Sequence, residues 1–247
     1  MIIKEELARV GQTVEMLSLC GYYHLHKLGV NLIDGEEGVM EQRVGQLLGR
    51  RCLSRLGFEV QLEGMENFKH LENYCVVSTH ASHLDWAMLL GYCPDQVRFI
   101  ARANLVKVPV IGDYLKLRGI LIDRSKGIDA KLAIRAAARD DNPFPILIFP
   151  EGTRTRDGEL QPFRRGGLRI LAEEGLTMVP VCITGTFDAF SRGARAIKRG
   201  GQLRMQVGAP VAANPEGGVE AQLDEIEARV QALFKNAARE SRAKPLR

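Results

Sequence analysis

From Phe58 onward the sequence alternates short β-rich runs with helical patterns, and this alternation constrains the fold more than any other feature. The strand candidates are, in chain order, FEVQLEG, YCVVST, VRFIAR, ILIDR, PILIF, MVPVCIT and LRMQVGAPV. Helical patterns lie at about residues 83–92, 127–140, 165–175 and 217–240. Near-continuous apolar strands that alternate with helices are typical of a largely parallel sheet covered on both sides. The sequence therefore predicts an α/β fold.

The beginning of the chain has a different pattern, which predicts a helical hairpin. Apolar residues recur there at alternating steps of four and three, as one face of an amphipathic helix requires: Ile3, Leu7, Val10, Val14 and Leu17. A second helical pattern runs from about Val39 to Leu56. We therefore divide the chain into an N-terminal helical hairpin (1–56), a main domain (57–240) and a frayed tail (241–247).

Composition and charge narrow the function classes. The formal net charge of +4 suits a phosphate-bearing substrate or an anionic lipid surface, but it is low for a dedicated nucleic-acid binder. The 5 cysteines are scattered and form no C-x-x-C pair, which favours a reducing cytoplasm over a disulfide framework or a zinc finger. Charged residues interrupt every early apolar stretch, so we expect neither a secretory signal nor a transmembrane span.

The first motif, THASHLDW, follows the strand run YCVVST and contains His80, His83 and Asp85. Two catalytic interpretations are open. The three side chains could bind a metal, or His80 could act as a general base that Asp85 orients. A structural alternative also exists, because Ser82 and Asp85 have the spacing of a capping box at a helix start.

The second motif is RGILIDRS, residues 118–125, in which a short strand ends at Asp123 and Arg124. An arginine at a strand end offers a fixed fork of donors that suits a phosphate group. The alternative is a salt bridge between Asp123 and a neighbouring base.

The third motif, FPEGTRTRDGELQPFRRGG, follows the strand run PILIF, and its Pro150 and Gly152 predict a tight loop. The loop combines an acid, a hydroxyl and two arginines: Glu151, Thr153, Arg154 and Arg156. Backbone amides around Gly152 could meet an anion or a developing oxyanion. The alternative is an ordinary solvated turn.

The motifs HASHLD, GILIDR, FPEGTRTR and VPVCITGT occur in this order over about residues 75–187, and in this they resemble the glycerolipid acyltransferase family. The family contains 1-acylglycerol-3-phosphate and glycerol-3-phosphate acyltransferases. The resemblance implies an α/β fold with a mixed, largely parallel sheet flanked by helices. It also implies that the N-terminal hairpin is a candidate membrane-interface element.

The resemblance assigns roles to the motif residues. His80 would be the general base, and Asp85 would be the carboxylate that orients it. The implied substrate-binding residues hold the acceptor's phosphate or shape its pocket: Arg124, Glu151, Gly152, Thr153 and Arg154. Val179, Pro180 and Val181 would line the acyl-donor side.

The histidine pattern then favours the base over the metal. A dinuclear metallohydrolase of the lactamase type carries H-x-H-x-D-H with further histidines downstream. Here the spacing is H-x-x-H-x-D, and no histidine lies beyond His83. The chain also lacks the G-x-S-x-G motif of a serine hydrolase. We therefore expect a base–carboxylate dyad, with no metal and no organic cofactor.

The expected function is transfer of an acyl group from acyl-CoA or acyl carrier protein to the hydroxyl of a lysophospholipid, with 1-acylglycerol-3-phosphate favoured. Glycerol-3-phosphate or another lyso-lipid is the alternative acceptor, and a non-catalytic lipid-binding module is the alternative class. The basic run 191–204 and the N-terminal helix predict contact with an anionic membrane surface, peripherally on the cytoplasmic face. The basic run lacks interleaved aromatics, so no nucleic-acid partner is expected.

Overall fold

The computed structural model describes residues 37–108, 111–123, 125–213 and 217–243. The predicted first helix of the hairpin falls on residues 1–36, and Arg124 falls in a gap between described ranges, so both lie outside the described residues. The boundary predicted at residue 241 for a frayed tail falls inside a helix that continues to Ala243.

Within these ranges, seven strands form one sheet in the order β1-β7-β6-β2-β5-β3-β4. Their bounds are β1 Phe58–Glu63, β2 Tyr74–Ser78, β3 Arg98–Arg102, β4 Ile120–Ile122, β5 Ile146–Ile148, β6 Thr177–Thr184 and β7 Gly201–Val207. Neighbouring strands are parallel except β6 and β7, which are antiparallel. The prediction of a mixed, largely parallel sheet is therefore confirmed, and every predicted strand run contains a strand.

The α-helices of the described residues are α1 Glu37–Arg55, α2 Asp85–Tyr92, α3 Ile111–Arg118, α4 Gly127–Arg139, α5 Arg165–Glu173, α6 Thr186–Phe190 and α7 Gly218–Ala243. Two 3₁₀ helices, Met65–Phe68 and Ala103–Lys107, join strands to their neighbours. The sequence pattern missed two of these helices. Charged residues interrupt the apolar pattern of α3, which has eight residues, and the five residues of α6 give too few turns to show a period. Within the described ranges, no helix is long and apolar enough to cross a membrane.

The sheet separates two apolar cores. Along β2, Val76 points to one core, while Cys75 and Val77 point to the other, as the two-residue period of a strand requires. Buried residues of α1, α2 and α3 fill the first core, and those of α4, α5 and α7 fill the second. Both faces are covered, which explains why the strands are apolar on both sides.

The second helix predicted for the hairpin is confirmed as α1, and it packs closely against α2. A Cβ on Gly49 would lie 2.5 Å from the carbonyl oxygen of Ala87, so only glycine permits this approach. Arg50 Nε adds a hydrogen bond of 2.7 Å to the carbonyl oxygen of Gly91. Because α2 begins at Asp85, this packing fixes the helix that carries the carboxylate of the first motif.

Three central strands bring the motifs to one edge of the sheet. β6, β2 and β5 are neighbours and run in the same direction, so the segments after Ser78, Ile148 and Thr184 emerge together. The carboxyl edge of such a sheet is where α/β proteins usually place their sites.

Candidate active site

His80 and Asp85 form a hydrogen-bonded pair in the loop between β2 and α2. His80 Nδ1 lies 2.9 Å from Asp85 Oδ2. Because this nitrogen faces a carboxylate, we assign the ring proton to Nδ1, which leaves the lone pair on Nε2. The histidine ring stacks on Phe149, with centroids 3.9 Å apart and an interplanar angle of 15°. The His80 side chain keeps 22% of its surface exposed, whereas Asp85 is fully buried.

The carboxylate of Asp85 also holds the loop itself. Its Oδ2 accepts hydrogen bonds from the backbone amides of Ala81 at 2.7 Å and Ser82 at 2.9 Å. Its Oδ1 accepts one of 2.7 Å from the hydroxyl of Thr186, a buried residue at the start of α6. The bond from the Ser82 amide is the carboxylate half of the predicted capping box, and the same oxygen meets the imidazole, so this geometry accommodates both interpretations, and the catalytic role stays a prediction.

The loop of the third motif fixes the backbone of His80 from the other side. The amide of His80 donates to Glu151 Oε1 at 2.6 Å, and its carbonyl oxygen accepts from the amide of Thr155 at 3.0 Å. Pro150 and Gly152 make the tight loop that the sequence predicts, with Gly152 at φ +72°. The Gly152 amide donates to the carbonyl oxygen of Phe149, however, so it is not an open donor for an oxyanion.

Glu151 is buried, with 3% of its surface exposed, and it bridges two loops. Besides the His80 amide it accepts a hydrogen bond of 3.0 Å at Oε2 from the amide of Gln161. Burial raises the pKa of Glu151 to about 7, although both backbone amides favour the ionised form. Both carboxylate oxygens thus meet backbone amides, and the predicted role of Glu151 in shaping the pocket stays a prediction.

A cationic surface adjoins the pair. Thr153 and Arg154, both partly buried, project from the third-motif loop. Arg192 donates a hydrogen bond of 3.3 Å from Nη1 to Thr153 Oγ1. Desolvation, and to a smaller extent the nearby charge of Arg192, lowers the pKa of the Arg154 guanidinium. Burial of the His83 ring, and to a smaller extent the charge of Arg154, lowers the pKa of His83 to about 4.

The remaining predicted residues have mixed outcomes. Arg124 lies outside the described residues, so its phosphate contact stays a prediction. Asp123 accepts hydrogen bonds from the amide and hydroxyl of Ser125, at 3.0 and 2.6 Å. Among the described residues no base forms a salt bridge with it. Val179 and Val181 are fully buried in the first core between β2 and β7, so their side chains do not line an open surface.

Three residues that contact the site residues were not predicted to do so from the sequence. Thr186 and Arg192 lie 101 and 39 residues from the side chains they contact, and no local spacing connects them. Phe149 was counted as the end of a strand run, and nothing in the pattern indicates that it stacks on His80. For Thr186 a usable signal did exist, since it ends the motif VPVCITGT.

The described residues contain no group of three or more His, Cys, Asp or Glu side chains placed to hold a metal ion. At the His80–Asp85 pair, hydrogen bonds within the protein already occupy atoms that a metal ion would need. One oxygen of Asp85 meets His80 and two backbone amides, and the other meets Thr186. The His80 nitrogen nearest the carboxylate is likewise occupied.

Fold and site together define an α/β protein with a mixed sheet and a histidine–aspartate pair at its carboxyl edge. Residues 59–184, just over half of the 247-residue chain, match the family described as Acyltransferase. The chain therefore belongs to the acyltransferase family, as the motifs predicted.

Individual relatives agree with this assignment. The chain is 29% identical over 157 residues to a 1-acyl-sn-glycerol-3-phosphate acyltransferase of Limnanthes douglasii, covering 62% of this chain and 55% of the relative. It is 29% identical over 158 residues to 1-acyl-sn-glycerol-3-phosphate acyltransferase alpha of Mus musculus, covering 63% and 55%. The chain thus spans about half the length of the curated relatives it matches.

One solved structure shares the whole fold. It is the crystal structure of the 1-acyl-sn-glycerophosphate (LPA) acyltransferase PlsC from Thermotoga maritima, with a TM-score of 0.78. The similarity covers 95% of this chain and 97% of that chain, at 24% sequence identity. At this identity the likeness establishes the architecture alone.

Proposed function

We propose that this protein transfers a fatty acyl group from a thioester donor to the hydroxyl of 1-acylglycerol-3-phosphate, with His80 as the general base. The observation that carries the proposal is the bond of 2.9 Å between His80 Nδ1 and the buried Asp85, which leaves Nε2 free to take a proton. The names of the curated relatives support the choice of acceptor.

The chemistry needs no covalent enzyme intermediate. His80 Nε2 removes the acceptor's hydroxyl proton as the oxygen attacks the thioester carbonyl carbon. The tetrahedral intermediate then collapses, the carbon–sulfur bond breaks, and Nε2 returns the proton to the departing thiolate. The products are an ester and a free thiol. Asp85 stabilises the imidazolium that forms between the two proton transfers.

The positive surface beside the pair supplies the acceptor's phosphate site. Arg154 and Thr153 lie on the loop whose backbone also holds His80. A phosphate bound there places the glycerol backbone, and hence its hydroxyl, close to Nε2. Such positioning contributes a large share of the rate in two-substrate reactions. Arg124, at the end of the β4 motif, is proposed as a further phosphate ligand.

The donor is proposed to be acyl-CoA or acyl carrier protein, and the reaction as written requires no metal and no organic cofactor. Glycerol-3-phosphate or another lyso-lipid remains the alternative acceptor, because such molecules also carry a free hydroxyl, and the phosphorylated ones carry a phosphate group as well.

The acceptor is a bilayer component, and we propose peripheral contact with an anionic membrane on its cytoplasmic face. In the basic run, Arg199 donates to the carbonyl oxygen of Arg55, and Arg204 pairs with Glu63 and Glu240, so these two are engaged within the fold. Arg195 and Lys198 are exposed, and bases near anionic lipid gain about 1 kcal/mol each.

Flotation with vesicles of anionic or neutral lipid tests the membrane contact. Binding to anionic vesicles should weaken as salt rises, and it should weaken further in the double variant Arg195→Ala, Lys198→Ala. Failure to bind any vesicle at low salt would refute the contact.

The catalytic proposal is tested by His80→Ala in an assay that follows free thiol with one acyl-CoA and a panel of lyso-acceptors. We expect turnover to fall by about 10²- to 10⁴-fold, the usual contribution of a general base. His83→Ala is the matched control, since it removes the other histidine of the same motif, three residues away, and should retain most activity. Circular dichroism and thermal unfolding should show both variants folded.

Full turnover by a folded His80→Ala variant would refute the role of His80. A wild-type protein that binds lyso-lipid but releases no thiol with any acceptor would instead support the non-catalytic lipid-binding module.

A further inference from the structure

The segment after α6 is built into the site, although none of the phosphate-binding residues proposed from the motifs lies in it. The carbonyl oxygen of Phe190 accepts a hydrogen bond of 2.7 Å from the hydroxyl of Ser82, in the same loop as His80. Backbone bonds from Ala194 to Ser191 and from Lys198 to Ala189, at 3.1 and 2.8 Å, close the turn that follows. The backbone of Arg192 is therefore fixed from both sides, unlike that of a freely solvated loop.

The side chain of Arg192 crosses to the third-motif loop. Its Nη1 donates to Thr153 Oγ1, and its charge lies close enough to Arg154 to oppose the charged form of that guanidinium. No carboxylate among the described residues forms a salt bridge with Arg154 or Arg192. Elsewhere in the described ranges carboxylates neutralise arginines, as Glu227 and Asp224 do for Arg165.

The repulsion between Arg192 and Arg154 raises the free energy of the empty site, and the charge of Asp85 offsets it only in part, so an anion bound by both arginines lowers that free energy. A phosphomonoester carries a charge of about −1.5 to −2 at neutral pH and three acceptor oxygens. Arginine donors match such oxygens in fork geometry. The hydroxyl of Thr153 accepts from Arg192 and still has its own hydrogen to donate, so it adds a third donor between the two arginines.

We propose that Arg192 binds the acceptor's phosphomonoester dianion together with Arg154 and Thr153. The choice of acceptor rests on the proposed function, whereas the anion site rests on the geometry of these three residues. Arg192 is an acceptor-binding residue and takes no part in proton transfer. Its loss should therefore affect binding of phosphorylated acceptors and leave the chemical step unchanged.

The kinetic test compares Arg192→Ala with Lys69→Ala, which removes an exposed cation that precedes β2, at the opposite end of that strand from His80. A short-chain 1-acylglycerol-3-phosphate below its micelle concentration keeps membrane binding out of the measurement. We expect Arg192→Ala to raise the acceptor KM roughly tenfold to a hundredfold, since hydrogen bonds to charged groups have this strength. The donor KM and kcat should stay near wild type, Lys69→Ala should match wild type, and Arg192→Lys should recover part of the loss.

A second acceptor isolates the phosphate. With 1-acylglycerol, which lacks the phosphate, wild type and Arg192→Ala should show equal kcat/KM. A calorimetric titration with glycerol 3-phosphate, and separately with inorganic phosphate, measures anion binding without turnover. Binding of glycerol 3-phosphate should weaken in Arg192→Ala and not in Lys69→Ala.

The outcomes separate this inference from the proposed function. If wild type turns over the phosphorylated acceptor and Arg192→Ala behaves identically, the role of Arg192 is refuted while the transferase stands. If no acceptor is turned over but glycerol 3-phosphate binding depends on Arg192, the transferase fails and the anion site stands. Arg192-dependent binding of inorganic phosphate alone would identify a site for the free anion and overturn the acceptor role.

Discussion

The two halves of the site differ in how many of their polar and charged groups have a partner within the protein. At the His80–Asp85 half, both oxygens of the buried carboxylate are hydrogen-bonded, and the His80 backbone is bonded at its amide and its carbonyl. At the half formed by Thr153, Arg154 and Arg192, the charges of the two arginines oppose each other, and no described carboxylate forms a salt bridge with either.

In the proposed function, the first half carries out the proton transfer and the second half binds the acceptor. A proton-transfer group must be in place before the substrate arrives, because any later rearrangement adds to the barrier. A phosphate site has the opposite requirement, since its positive charge must stay available for an anion that the protein does not supply. Changes in the first half should therefore act on kcat, and changes in the second half should act on the acceptor KM.

The largest effect is expected from Asp85→Asn, which tests whether charge or geometry matters in the first half. The asparagine oxygen can replace Oδ2 toward His80, Ala81 and Ser82, and its amide can donate to Thr186, whose hydroxyl can accept. The hydrogen bonds are then kept while the negative charge is lost. We expect kcat to fall by about 10²- to 10⁴-fold in steady-state assays, with little change in the temperature of unfolding.

The comparison variant Asp85→Ala leaves the amides of Ala81 and Ser82 without their acceptor. It should lose stability as well as activity, by about 1 to 3 kcal/mol for each buried group left unpaired. Equal stability losses in the asparagine and alanine variants would show that the charge, and not the set of hydrogen bonds, holds the loop.

An intermediate effect is expected from Arg154→Ala, which removes a cation from the second half. The acceptor KM should rise roughly tenfold to a hundredfold, while the donor KM and kcat change little. Lys69→Ala is the matched control, because Lys69 is an exposed cation that precedes β2, at the opposite end of that strand from His80. A fall in kcat at unchanged KM would place Arg154 in the first half instead.

The smallest effect on activity is expected from Glu151→Gln, and its signature is a pH dependence of stability. Burial raises the pKa of Glu151 from 4.5 to about 7, so the folded state binds a proton that the unfolded chain has released between these values. The stabilising contribution of this proton is complete below the unfolded pKa and is lost as pH rises through about 7.

Glutamine does not titrate, so the free energy of unfolding of wild type minus that of the variant should fall as pH rises from about 5 to about 8. The decrease should reach at most about 3 kcal/mol, measured by urea unfolding at several pH values. A difference that is flat with pH would mean that the two backbone amides keep Glu151 ionised throughout.

The sequence predicted the sheet well because its strands are recognisable locally. Runs such as YCVVS and ILI are short, apolar and bounded by turn residues, and each became a buried strand. The sequence did not predict that the Gly152 amide would donate to the carbonyl oxygen of Phe149 within its own turn. It also missed α3, because the charged residues Asp113, Lys116 and Arg118 interrupt its short apolar pattern.

His80 and Asp85 are five residues apart, so one turn at a helix start brings them together, and the sequence by itself determined that pair. The bonds from His80 to Glu151 and from Asp85 to Thr186 join residues 71 and 101 positions apart. Only the tertiary structure decided those bonds, because they depend on β5 and β6 lying on either side of β2. The contact of Arg192 with Thr153 is of the same kind: strand order, and not spacing along the chain, decides which loops meet.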